Sequence, residues 1–74
     1  MEVITNTDHS IRLTEITDGM GTPRQLNIHA YRVANNQNPR LSLAVLDKKG
    51  KTLGYVILDA DGMRYIVSEI LSLI

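Results

Sequence analysis

Arg24-Gln25-Leu26-Asn27-Ile28-His29-Ala30-Tyr31-Arg32-Val33 decides the fold class. Leu26, Ile28 and Ala30 fall on one side of an extended chain, and Gln25, Asn27, His29 and Tyr31 fall on the other. That period of two predicts a half-buried antiparallel strand with one wet face. Arg32 shares the phase of Leu26, Ile28 and Ala30. Either the strand leaves the core before Arg32, or the side chain snorkels out from an edge.

The flanking segments extend the same pattern. Downstream, Ala34-Asn35-Asn36-Gln37-Asn38-Pro39 reads as a polar turn, rich in residues that tolerate left-handed geometry. Arg40 to Leu46 is a second alternating strand, with Leu41, Leu43 and Val45 opposed to Ser42 and Ala44. Asp47-Lys48-Lys49-Gly50-Lys51 then predicts a hairpin turn with Gly50 in the left-handed conformation as a G1 bulge. Thr52 to Leu58 is a further strand, the fourth in chain order, apolar almost throughout.

Upstream, Asp18 to Pro23 is a loop by its Gly and Pro content. Ser10 to Thr17 alternates through Ile11 and Leu13, and Ile16 then breaks the phase by one residue, which a β-bulge explains. Met1 to Ser10 is polar apart from Val3 and Ile4, either frayed or a short strand. At the other end, Asp59 or Asp61 caps a helix. Met63, Ile66, Val67, Ile70, Leu71, Leu73 and Ile74 follow at helical spacing. The expected architecture is α+β: one domain over 1–74, with a four-stranded antiparallel sheet followed by one C-terminal amphipathic helix.

Seventy-four residues build only a small core, and without cysteine no disulfide or thiolate site can staple it. One face of a four-stranded sheet covers the helix stripe only in part. The remaining apolar surface, Met63 to Ile74, points to a homodimer. No basic-then-apolar leader and no run of about 18 apolar residues is visible, so a cytoplasmic protein off the membrane is expected.

The chain is neutral overall, but its charge is segregated. Between Arg24 and Lys51 lie six of the eight Lys and Arg residues and a single acid, Asp47, a net of +5. Residues 1–23 carry −3 and residues 52–74 carry −2. A basic segment read as strands points to an anionic partner, foremost single-stranded nucleic acid. A solvated surface reads the same way. His29 and Tyr31 project from the wet face with Asn27 beside them. Tyr55 joins that face if Val56 and Leu58 turn toward the helix. Arg24, Arg40 and the Lys48–Lys51 turn sit at its edges. Rings offer stacking platforms and cations track phosphates. Tyr31 and Tyr55 also read as plain cross-strand partners.

No catalytic constellation or metal-ligand spacing emerges, so neither an enzyme nor a cofactor is expected. His9 and His29 stand far apart, and His9 reads as a surface residue. Asp59-Ala60-Asp61-Gly62 lacks the continuation of a calcium loop. A second functional reading is a small phage or mobile-element module that inhibits a host protein by docking on it, through the apolar helix or the basic face.

Three stretches carry a family likeness: Pro23 to Ile28, Pro39 to Val45, and Leu53 to Asp59 leading into Met63–Ile66. Together with the basic middle they resemble the positive-cofactor-four-like family of single-stranded-DNA-binding transcriptional coactivators, in its short bacterial or phage form. The likeness spans roughly residues 11–74. It departs from the family in having only Tyr31, Tyr55 and Tyr65 as aromatics and no Lys or Arg inside the fourth strand. The resemblance implies a homodimer joined through helices and sheet edges, with curved sheets forming DNA channels. It also implies Arg24, Arg40 and Lys51 as backbone contacts, Tyr31 as a stacking residue, and Asn27 and Tyr55 as further contacts.

Overall fold

Among the described residues, five strands and one helix follow one another without a crossover. They are β1 (Glu2–Thr7), β2 (Ser10–Thr17), β3 (Pro23–Val33), β4 (Asn38–Leu46), β5 (Thr52–Leu58) and α1 (Ala60–Leu73). The computed structural model of the chain describes residues 1–7, 9–33, 35 and 37–74. The strands form one antiparallel meander in the order β1-β2-β3-β4-β5. The architecture is α+β as expected, with one strand more. Glu2–Thr7 pairs with β2, Val3 opposite Leu13 and Thr5 opposite Ile11. Two apolar residues in a polar segment carry too little periodicity to separate a strand from a frayed end. The hairpin to β2 supplies the missing backbone hydrogen bonds.

Local expectations are met where local chemistry sets them. The register of β2 and β3 shifts between Leu13 and Ile16, with Glu15 in the left-handed region at φ 57°. This is the bulge that the phase of Ile16 implied. In the β4–β5 turn, Gly50 has φ 89°, and Asp47 N and Lys51 O close the hairpin at 2.9 Å. Asp59 is the helix cap: its Oδ1 accepts from Gly62 N at 2.9 Å. Asp61 sits in the first turn and pairs with Arg64 at 2.8 Å. In the polar turn expected over 34–39, Ala34 and Asn36 lie outside the described residues, as does Asp8 near the amino end. Asn35 there has φ 57°, and β4 begins at Asn38.

Cross-strand register sorts the sheet into two unlike faces, because paired residues share a face and neighbours along a strand alternate. One face is apolar in successive rows: Val3–Leu13–Leu26–Val45, then Ile11–Ile28–Leu43–Val56, then Ala30–Leu41–Leu58. The helix starts on this face, with Gly62 packed close against Leu58. Only its first turn stays there. Gly62 and Met63 are half-buried, and every residue from Arg64 onward is exposed. Ile66, Val67, Ile70, Leu71, Leu73 and Ile74 are therefore uncovered, with Leu71 66% and Leu73 85% exposed. Among the described residues, Leu46 is the one buried hydrophobic, at 2% exposure. A single sheet layer with a helix touching one edge has no second layer to close a core against.

Candidate nucleic-acid interface

The opposite face carries the polar residues. Its first full row is Ile4–Arg12–Asn27–Ala44–Tyr55 and its second is Ser10–His29–Ser42–Ile57. Tyr31 and Arg40 pair beyond them. Five of the residues singled out from the sequence thus share one surface: Asn27, His29, Tyr31, Arg40 and Tyr55. His29 and Tyr31 are neighbouring rings in a tilted arrangement, with centroids 5.0 Å apart and planes inclined by 36°, a separation within the usual range for aromatic pairs. Tyr55 is 72% exposed. It faces Ala44 across β4 rather than Tyr31, so the two tyrosines are not direct cross-strand partners. Two strand spacings and four residues separate them, about 16 Å. Ser42 lies between them on the diagonal.

Arg24 and Lys51 are elsewhere. Arg24 alternates with Gln25 and so falls with Leu26 and Ile28, on the apolar side. Its guanidinium is engaged locally: Nη1 donates to Pro23 O at 3.1 Å, and Nη2 lies 3.6 Å from Asp18 Oδ2. Lys51 is in the β4–β5 turn opposite Asp47, seven residues along the sheet from Arg40, or about 23 Å. Lys48 occupies the same turn, where its carbonyl oxygen accepts from Gln25 Nε2 at 3.2 Å. Gln25 is thereby committed to holding that turn. The +5 segment is split between the two ends of the sheet.

Arg12 was missed by charge counting because it lies in the acidic first third. The structure sets it opposite Asn27, and its Nε donates to Asn27 Oδ1 at 2.8 Å. Its alternation with Ile11 and Leu13 was the available signal. Arg40 is half-buried and donates from Nη1 to Pro39 O at 2.9 Å. Among the described residues paired on the polar face, Arg12 and Arg40 are thus the two cations.

Two carboxylates are structural. Asp18 Oδ1 accepts from Met20 N at 2.8 Å and Thr22 N at 3.0 Å. Asp47 Oδ1 accepts from Lys49 N and Lys51 N, both at 2.9 Å. These backbone donors hold both carboxyls below the ordinary value, with Thr22 the strongest influence on Asp18 and Lys51 on Asp47. Among the described residues, no group of three His, Asp or Glu is placed to hold a metal ion. No helix there is long and apolar enough to cross a membrane. No protein-family model, curated protein or solved structure matches the chain.

Proposed function

We propose that this chain is a homodimeric single-stranded nucleic-acid-binding protein, most simply for DNA, with little sequence preference. It would serve as an accessory factor in transcription or replication. The observation that carries the reading is the polar face. It combines two separated aromatic platforms, His29–Tyr31 and Tyr55, with guanidinium groups at Arg12 and Arg40 and amide and hydroxyl groups between them. Rings stack on any base and cations follow any backbone, so the combination binds strands without reading them.

Homodimerisation is supported by area. The chain exposes 5766 Å² at a mass of 8.3 kDa, where a compact monomer of that mass exposes about 4,600 Å². The excess of about 1,200 Å² exceeds the roughly 800 Å² that each partner buries in a standard interface. A second copy, placing its helix stripe and apolar sheet face against the first, removes that excess from water and doubles the polar face. A host protein docked on the same apolar surface is the competing reading.

The test is a fluorescence-anisotropy titration with an oligo-dT at several salt concentrations. Two phosphate contacts per subunit give a log–log slope of about −1.4 per subunit. Absence of salt-sensitive binding at micromolar protein would reject the proposal. Recovery of one stoichiometric protein from nuclease-treated lysate, together with no oligonucleotide binding, would favour the host-docking reading instead.

A further inference from the structure

Arg32 belongs to neither face's logic, and its position at one end of the sheet gives it a role. Beyond His29, β3 has no β2 partner, and beyond Leu41 toward its start β4 has no β5 partner. Residues 30–33 and 38–40 therefore project as a two-stranded ribbon. Two-stranded ribbons twist more than full sheets, which lets side chains from both faces reach one space. His9 closes one side, where its carbonyl oxygen accepts from Ala30 N at 2.8 Å. The first helical turn closes the other with Met63.

The result is a half-open cavity of about 430 Å³ lined by His9, Ala30, Tyr31, Arg32, Pro39, Arg40 and Met63. That volume suits a small ligand. No carboxylate is among its described lining residues. Two arginines, Arg32 and Arg40, and His9 are among the lining residues, with Ala30, Pro39 and Met63 as the apolar ones and Tyr31 as the aromatic one. Among the described residues, no hydrogen bond or ion pair engages the Arg32 side chain.

Resting on the strand-binding reading of the adjoining face, we propose that this cavity binds a nucleotide phosphomonoester: the phosphorylated terminal nucleotide of a strand lying on the polar face, or a free nucleoside monophosphate. A phosphomonoester carries roughly −1.5 to −2 charge at neutral pH, which matches the two guanidinium groups. Guanidinium pairs with phosphate through two parallel donors. An internal phosphodiester carries one charge and needs an exit for the chain on both sides.

The experiment compares oligo-dT of one length in three forms: 5′-phosphorylated, 3′-phosphorylated and unphosphorylated. Thymidine monophosphate serves as a free competitor. One phosphorylated form is expected to bind about tenfold tighter than the unphosphorylated strand. That advantage should vanish in Arg32→Ala and stay reduced in Arg32→Lys, which keeps the charge without the fork. Binding of thymidine monophosphate by the wild type, lost in Arg32→Ala, supports the cavity with the free nucleotide as its source, even if no strand binds. Equal binding of all three strands, with no nucleotide binding, overturns the cavity and leaves the strand-binding face standing. Binding of neither strands nor nucleotide overturns both.

Discussion

Arg12 and Asn27 face each other across β2 and β3, and Arg12 Nε donates to Asn27 Oδ1 at 2.8 Å. The bond uses Nε, so the terminal amino groups of the guanidinium are not needed for it. Asn27 therefore orients a cation over the face instead of acting only as a contact of its own. Arg12→Ala is expected to weaken oligo-dT binding and flatten its salt slope by about 0.7, the share of one phosphate on a single strand. Asn27→Ala should weaken binding less and leave most of the slope. The two losses should fall short of additive, because both act through one guanidinium. Additive losses in anisotropy titrations would mean that the pair does not act as a unit.

Ile70 and Leu71 lie in the exposed part of the helix beyond its first turn, 49% and 66% exposed. Substituting Asp for either should leave the monomer's own packing nearly unchanged and place a charge in an apolar interface. Light scattering behind size exclusion is expected to give a dimer for the wild type and a monomer for Ile70→Asp. A wild-type monomer across the micromolar range would remove the dimer from the account.

Gly50 holds φ 89° in the β4–β5 turn, a conformation that costs other residues about 1–2 kcal/mol. An added Cβ would meet nothing within 4 Å, so backbone strain is the whole penalty. Gly50→Ala should lower the unfolding free energy by that amount in urea denaturation. Gly50→Asn should lose less, since Asn tolerates the left-handed region.

Asp47 ties the same turn through Lys49 N and Lys51 N, and its carboxyl titrates below the ordinary 3.8. A depressed folded value means that the ionised form is the stabilising one. Its contribution is complete above the unfolded value and is lost as pH falls through the folded value. The urea midpoint of wild type should exceed that of Asp47→Ala at pH 6, and the gap should close progressively as pH falls below the ordinary 3.8. A gap independent of pH would assign the effect to packing.

Asp59 caps α1 through Gly62 N. Asp59→Ala should cost about 1 kcal/mol. Since the helix is held mainly at its first turn, the loss should appear as lower helical circular dichroism in the monomeric Ile70→Asp background. A second subunit would otherwise mask it.

The sequence alone settled whatever depends on neighbours within a few residues. The alternation of β3 and β4, the phase slip at Ile16, the left-handed Gly50, and a helix capped by Asp59 or Asp61 all follow from backbone geometry and short-range hydrogen bonds; the structure chose Asp59. Tertiary structure decided which residues meet. Register set Asn27 beside Arg12, parted Tyr31 from Tyr55, and sent Arg24 to Asp18 and Lys51 to the far end. Pairing with β2 made a strand of Glu2–Thr7, and the projecting ribbon gathered His9, Arg32 and Arg40. The physical reason is that register is a sum over many hydrogen bonds between strands distant in sequence, and a slip of one residue exchanges the two faces. No single residue encodes that sum, so composition could locate the positive charge in the sequence but not on a surface.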